Sequence, residues 1–469
     1  MCGVFGTYAP GYEVAQLTAL GTTYLGHRGH EAAGLAATDG RQLMHFGGLG
    51  EAVEVFKSGI PPEMDQAIAA IGHTRYSTTG SSTSSVNFQP VRVEGPNGEL
   101  CGGHNGNFPD ALRQERKELS ASGAKFSTTM DTEVLLQMVA WAPGDTWIER
   151  VSHMMKAVKG RGTYTLTLLT RDSLIMARDP HRNRPAAYGR FNGGCLVSSE
   201  DSVLRQLRAT DIQDLGPGQI LIINGDGIRI HQAVEPGPFV RCSFECTYFA
   251  LTTTKIDGVH VGQCRENQGA LLSELCPAPD ADVVVGVPDS GTAAAIGYAN
   301  KSGIPYRPLI LRDRQRGQRT FIEPDADIRQ KLAELKYMID PRVAGLVLVL
   351  LEDSVVGGLT IGILCEALRY YGVGGIHLRI AQPPLRHDCP FGIDMKTDRR
   401  PLFAEGLSDE EAERKLCADF GLLSARYLTV EENALTQGGP RAHICYACTT
   451  GEHSLPVASS RDKTVLEVG

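Results

Sequence analysis

Residues 282–306 read DVVVGVPDSGTAAAIGYANKSGIPY. A short valine run ends in a Pro-Asp-Ser-Gly-Thr turn and gives way to an alanine-rich stretch that stops at Asn-Lys-Ser-Gly. A continuous apolar run, a turn and then a helical stretch mark a buried parallel strand and its crossover. The order returns at LVLVLLED (346–353), SVVGGLT and IGILCEALRYYG, and a third apolar run, IHLRIA, covers 376–381. Between the first two, PYRPLIL reads as a further strand. Buried strands alternating with helices predict a parallel sheet with right-handed crossovers. Ligands of such sheets sit at the C-terminal strand ends, where DSGT and EDSVVGGLT fall.

Upstream the rhythm differs. To about residue 235 the chain has short apolar runs punctuated by Gly, Ser, Thr and Asn: AIAAIGHTRYS (67–77), TYTLTLLTRDSLIMARD (163–179) and QILIINGDGIRIH (219–231). These predict strands and hairpins, with helices over Asp131–Ala140 and Trp147–Lys156, a layered α+β domain. From about 401 the chain is charged and then Gly- and Cys-containing, and reads as a helical extension. The expected organisation is residues 2–235, 240–400 and 401–469.

Composition narrows the function. The 469 residues carry 46 Lys+Arg against 54 Asp+Glu, a net charge of −8, and no basic stripe. Nucleic acid is therefore not an expected partner. The longest apolar stretch, Val343–Leu351, contains a glycine and is too short to span a bilayer. Residues 1–30 lack the basic start and apolar run of a signal peptide, so a cytoplasmic protein without membrane contact is expected. In that compartment the 12 cysteines point to metal or catalysis more than to disulfides.

The sequence starts Met1-Cys2-Gly3-Val4-Phe5-Gly6. Loss of Met1 would leave Cys2 with a free α-amine of pKa roughly 7.7–8.0. Such an amine can take the thiol proton, so one residue supplies nucleophile and base. The plain alternative is a cysteine that happens to be second. Four more segments set polar groups in core-like sequence: HRGHEAAGLA (27–36), GHTRYSTTGSS (72–82), GGHNGNF (102–108) and STTMDTEVLL (127–136). With CGVFG, in this order, they resemble the N-terminal-nucleophile glutamine amidotransferase domain over about 235 residues.

The resemblance implies an αββα sandwich in which the thiolate attacks the glutamine carboxamide, releases ammonia and leaves a thioester for water. It implies that Arg75 holds the substrate carboxylate, Asp131 its ammonium, and Asn105 with Gly106 the oxyanion, while Arg28 and Gly29 line the same pocket. Arg75 and Asp131 read equally as surface ion-pair residues, and HNGN as a plain turn.

In the second half, VVVGVPDSGTAAAIGYANKSGIPY, RTFIEP (319–324), IRQKL (328–332) and EDSVVGGLT (352–360) resemble the type I phosphoribosyltransferase half of the glutamine phosphoribosylpyrophosphate amidotransferase family of purine biosynthesis. The implied reaction carries ammonia inside the protein to C1 of phosphoribosyl pyrophosphate, giving phosphoribosylamine, pyrophosphate and glutamate. Asp289, Ser290, Gly291 and Thr292 would cradle the diphosphate with Mg²⁺. Glu352 and Asp353 would accept from the ribose hydroxyls, Gly358 and Thr360 would bind the phosphoribosyl group, and Arg319, Thr320 and Lys331 would close over it. EDSVVGGLT also reads as an ordinary strand–turn–helix. Cys445-Tyr446-Ala447-Cys448, with Cys389 in HDCPFGID and Cys242 in RCSFE, resembles the branch that binds a [4Fe–4S] cluster. Zinc and four free buried cysteines are the alternatives. The family also implies a homo-oligomer, a tetramer.

There are departures. After HRG the chain has His30-Glu31 where the family has Gln-Asp, and RDPHRNRPA (178–186) stands for RDPHGFRPL. The family's DDSIVRGTTS becomes Glu352-Asp353-Ser354-Val355-Val356-Gly357-Gly358-Leu359-Thr360-Ile361, losing one cation and two hydroxyls. An RPDS-like stretch is Leu251-Thr252-Thr253-Thr254, and RDRQRGQ (312–318) is one residue longer than usual. Three readings follow: the family reaction, a paralogue delivering ammonia to another phosphorylated or sugar-like acceptor, or a non-catalytic regulator. An asparagine synthetase is excluded, because its SGGxDS loop is absent.

Overall fold

A computed structural model describes residues 1–312, 337–393, 395, 401–453, 455 and 465–467. Two antiparallel sheets face each other in the first half. Among the described residues one has seven strands, with Gly3–Tyr8 central between Gly194–Ser198 and Ala69–Arg75. The other has six, with Gly98–Asn107 beside Thr163–Leu169. Gly3–Tyr8 and Thr163–Leu169 are buried along their whole length, because each sheet is covered on both faces. Helix Val14–Tyr24 packs on the first sheet, and Asp131–Trp141 and Trp147–Ala157 pack on the second. The expected αββα sandwich is present, and both expected helices form within one residue of the reading.

The second half contains a parallel sheet in the order Val283–Gly286, Val347–Glu352, Gly375–Ile380, Ser424–Tyr427. The three apolar runs are its first three strands. PYRPLIL contributes less than expected. Tyr306 makes a single bridge to Val284, and only Ile310–Arg312 forms a strand, paired with Tyr337–Ile339 outside the main sheet. Pro305 and Pro308 lack the N–H a ladder needs. The extension after 401 is more than helical. After helix Asp409–Phe420, opened by a Ser408–Glu411 capping box, it supplies the edge strand Ser424–Tyr427. Among the described residues no helix is long and apolar enough to cross a membrane.

Candidate active site

Cys2 is 5% exposed at the start of the central strand. The Tyr76 backbone N–H donates to its sulfur at 3.4 Å, and the thiol faces the Tyr76 carbonyl at 3.4 Å. Burial pushes the thiol up from its ordinary value, so a base is needed to make the nucleophile. Met1 is buried beside it, and burial lowers the pKa of its terminal amine to about 5.

Arg75 ends the strand Ala69–Arg75 and is buried, which lowers its pKa. Its guanidinium donates to the carbonyls of Thr79, Gly80 and Ser81 at 3.1–3.2 Å, so the loop after it folds back over the cation. Gly29 is needed for close approach: a Cβ there would lie 2.6 Å from the Arg75 carbonyl carbon. Glu31 accepts from Ser77 N–H at 2.7 Å and fixes the same loop. Asp131 opens helix Asp131–Trp141 and accepts from Phe108 N–H at 3.2 Å. That helix start is locked by Glu133, which accepts from the backbone and hydroxyls of Ser127 and Thr128 at 2.7–2.9 Å.

Asn105 and Gly106 lie on the strand Gly98–Asn107. The Asn105 Nδ2 is buried and finds no hydrogen-bond partner among the described residues. An orphaned buried amide costs about 1–3 kcal/mol, so such a donor awaits an acceptor. Gly106 presses on the neighbouring strand: a Cβ would sit 1.9 Å from the Thr163 carbonyl oxygen, a position only glycine can fill.

Arg28 is placed differently from a pocket-lining residue. Its Nε donates to the Cys2 carbonyl at 3.0 Å, Nη1 to Glu200 at 2.6 Å and Nη2 to Glu245 at 2.7 Å. The side chain is fully buried, its charge paired with Glu200 and Glu245 while its Nε holds the Cys2 backbone. Glu200 also accepts from Leu251 N–H at 3.0 Å and the Thr254 hydroxyl at 2.7 Å, and pairs with His27 at 2.8 Å. Burial alone would raise Glu200, but His27 and Arg28 overcome it and hold the carboxyl far below the usual range. The divergent Leu251–Thr254 stretch is thus built around a glutamate of the first half.

In the second half, Asp289 stands exposed on the loop after Val283–Gly286 and pairs with Arg312 at 3.3 Å. Ser290 donates to Asp353, whose other oxygen accepts from Ser354 at 2.5 Å. Gly291 and Thr292 begin helix Gly291–Ser302, and a Cβ on Gly291 would lie 2.4 Å from the Leu351 carbonyl oxygen. Glu352 and Asp353 are buried at their strand end, so this acidic pair and the DSGT loop do converge. Gly358 (φ +80°) precedes helix Leu359–Tyr370, Thr360 is exposed, and Leu359 is 56% exposed in its first turn. Ile361 points into the core. Arg319, Thr320 and Lys331 lie outside the described residues.

The four cysteines come together. Arg241–Cys242 pairs in parallel with Ile444–Cys445, placing Cys242 beside Cys445. The N–H groups of Arg386 and His387 both donate to the Cys448 carbonyl at 2.9 Å, which ties in the Cys389 segment. Cys242, Cys389 and Cys448 share one apolar cluster with Met1 and Phe391. Burial pushes Cys242 up to about 12 and Cys445 to about 11, and the neighbouring thiols add to both. Of the remaining cysteines singled out, Cys246, Cys264 and Cys365 are buried, whereas Cys276 and Cys417 are half-buried.

Sequence reading missed Tyr76, Glu200, Glu245 and Arg184. Arg184 was in view within RDPHRNRPA, but its partners, the Met1 sulfur and the Phe391 carbonyl, are about two hundred residues away in sequence. Arg182, where the family has glycine, adopts φ +55°, with its guanidinium 4.4 Å over the Phe239 ring.

Comparison with known proteins agrees with this fold. Residues 73–206 match a glutamine amidotransferase domain. Amidophosphoribosyltransferase of Mycobacterium tuberculosis strain H37Rv is 36% identical over 99% of this chain and 89% of that protein. The Bacillus subtilis protein of the same name is 35% identical over 96% and 94%. The solved structure of glutamine phosphoribosylpyrophosphate amidotransferase from B. subtilis, complexed with ADP and GMP, superposes with a TM-score of 0.88 at 33% identity, covering 98% of this chain and 99% of that one. A structure described as the allosteric regulatory enzyme of purine biosynthesis gives 0.89 at 34% identity, covering 98% of each. A two-sheet glutaminase fold joined to a parallel-sheet domain, matched along nearly its whole length by these enzymes, makes this chain a member of the amidophosphoribosyltransferase family of glutamine-dependent enzymes.

Proposed function

We propose that the chain hydrolyses glutamine at Cys2 and passes the ammonia to C1 of phosphoribosyl pyrophosphate, releasing pyrophosphate. The unpartnered Asn105 Nδ2 carries this reading, as a buried donor one residue before the tightly packed Gly106. Once Met1 is removed, the Cys2 amine takes the thiol proton, and Asn105 Nδ2 with the Gly106 N–H receive the charge that develops on the carboxamide oxygen. Arg75 turns its guanidinium from its own loop to the substrate carboxylate, Asp131 takes the ammonium, and Gly29 keeps the pocket wall thin. Ammonia leaves past the apolar cluster that contains Met1, Phe244 and Phe391 and against which Val356 packs.

In the second half, the loop of Asp289, Ser290, Gly291 and Thr292 takes the diphosphate, whose charge Mg²⁺ would share. Glu352 and Asp353 take the ribose hydroxyls, and Gly358 and Thr360 meet the phosphoribosyl end. For the cysteines, no group of three or more His, Cys, Asp or Glu among the described residues could hold a single metal ion. Cys242, Cys389 and Cys448 in one buried apolar cluster, with half-buried Cys445 beside Cys242, suit a [4Fe–4S] cluster better than zinc, which draws its ligands to about 2.3 Å from one centre. Cys242, Cys389, Cys445 and Cys448 would hold it, and its role is to tie three distant segments together. The family suggests a tetramer in the cytoplasm.

A second reading rests on the acceptor loop. Gly357, Leu359 and Thr360 are exposed there, so this stretch offers backbone and one hydroxyl and no cation. An acceptor with a less strongly held phosphate fits such a loop.

Both are tested on one preparation by measuring glutamate and pyrophosphate release with and without phosphoribosyl pyrophosphate. The first reading expects both products in step, and Cys2→Ala should abolish glutamine use while sparing use of free ammonia. Glutamine hydrolysis that ignores phosphoribosyl pyrophosphate, with no pyrophosphate, moves the acceptor to the second reading. No hydrolysis with any acceptor points to a regulator.

A further inference from the structure

The segment after Cys389 crosses to the first half and is gripped there. The Asn107 Nδ2 donates to the Pro390 carbonyl at 2.7 Å, and the Thr163 hydroxyl donates to the Phe391 carbonyl at 3.1 Å. Arg184 Nη2 donates to the same Phe391 carbonyl. These donors lie beside Gly106: Asn107 follows it in the strand, and Thr163 faces Asn107 across the ladder, next to Tyr164, which faces Gly106. The grip delivers Gly392, at φ +123°, against the carbonyl side of Gly106, the Gly106–Asn107 peptide. A Cβ on Gly392 would lie 3.3 Å from both the carbonyl carbon and oxygen of Gly106, and 3.2 Å from Arg184 Nη2. From the other side, the Thr78 hydroxyl reaches the Gly106 oxygen at 3.5 Å.

Gly106 must be glycine because of Thr163, and glycine restricts its own φ and ψ less than any other residue. An oxyanion donor that turns loses its value, since a misplacement near 1 Å costs on the order of 10²-fold in rate. We propose that Gly392, held by Asn107, Thr163 and Arg184, is a positioning residue that packs on the Gly106–Asn107 peptide and so limits how far the Gly106 Cα, and with it the N–H offered to the oxyanion, can shift. The proposal rests on the reading of Cys2, Asn105 and Gly106 as the glutaminase centre.

The test uses the full-length chain, processed to Cys2, with Gly392→Ala and Thr163→Val compared with the parent. Thr163→Val keeps the side-chain shape and removes one hydrogen bond of the grip. Three quantities are read: glutaminase kcat and KM, inhibition by the aldehyde analogue of glutamine, and alkylation of Cys2 by iodoacetamide. The aldehyde forms a tetrahedral adduct carrying an oxyanion, whereas alkylation needs only the thiolate. The expected result is a roughly ten- to hundred-fold fall in kcat for Gly392→Ala, with a smaller fall for Thr163→Val. Aldehyde affinity should fall in parallel, and KM and the alkylation rate should stay within two-fold. Equal losses in kcat and alkylation rate would show general damage and overturn the proposal. So would a Gly392→Ala protein that fails to fold together with a Thr163→Val protein of parental kcat and aldehyde affinity. A parent that hydrolyses no glutamine, although Cys2 alkylates normally, would instead remove the underlying reading, and the positioning role with it.

Discussion

Cys2, Arg75, Asn105 and Asp131 sit behind walls braced by buried charge, whereas Asp289, Gly357 and Thr360 stand exposed on loops at the sheet end. The first site is preorganised: Arg28 holds the Cys2 carbonyl, Glu133 locks the Asp131 helix, and Glu31 fixes the Arg75 loop. In the second, the Glu352–Asp353 pair is buried, but the groups on the Asp289 and Gly357–Thr360 loops are backbone or solvated. Transition-state donors need fixed aim. Anchors for a polyanion can instead be completed by the ligand and its metal ion. Tolerance to substitution should therefore differ sharply between the two.

The largest effect should come from the brace. Glu200→Gln would leave Arg28 and His27 short of a buried partner and should cost about 3–5 kcal/mol, read from urea unfolding. If the loss stays below about 1 kcal/mol, the charge network does not brace the first site. Next comes Asn105→Ala, expected to lower glutaminase kcat by about 10²–10³-fold with ammonia-dependent synthesis kept. A change confined to KM would make Asn105 a binding residue instead. Gly357 offers the converse test. It is exposed, and among the described residues a Cβ there would meet only the Pro401 oxygen at 3.6 Å, so Gly357→Arg clashes with none of them at Cβ. It should lower KM for phosphoribosyl pyrophosphate about five-fold, the worth of about 1 kcal/mol for a solvated charge pair. An unchanged KM would favour an acceptor whose phosphate does not reach this loop.

The pH dependence should separate the halves in a gentler way. Burial lowers the pKa of the terminal amine in this pocket to about 5 with Met1 in place, so the Cys2 amine should titrate below its free value. A protonated amine cannot take the thiol proton. The rate should thus fall as pH drops through that pKa, and the plateau of glutaminase kcat/KM should extend below the roughly 7.7 of a free amine. An acid limb at 8 or above would contradict it. The smallest effect is expected at Arg182, whose left-handed backbone costs roughly 1–2 kcal/mol and whose stacking on Phe239 returns about 0.5–1 kcal/mol. Arg182→Gly should therefore shift stability by no more than about 1 kcal/mol, measurable by thermal unfolding.

What could be read from the sequence follows from the range of the interactions. DVVVGV and LVLVLLED announce parallel strands, because burial on both faces leaves a continuous apolar run. The pocket residues are legible because each sits in a short motif with its neighbours. Ser424–Tyr427 was hidden: it is a four-residue edge strand, half-buried, with an arginine in it. PYRPLIL looked like a strand by composition and was undone by its prolines. Glu200 and Glu245 have no local pattern at all. Their meaning lies in Arg28, 172 and 217 residues away, and only tertiary structure brings them to it.

That same guanidinium bears on how such a protein can change over generations. Arg28 belongs to the first half by chain position, but half of its counter-charge, Glu245, belongs to the second. A gene fragment encoding only residues 2–235 would keep every motif of the glutaminase and still leave this cation half-neutralised under the nucleophile. The two halves are therefore no longer interchangeable cassettes. A recombination event that swapped the acceptor half would have to bring an acid to the place of Glu245, or lose the glutaminase with it.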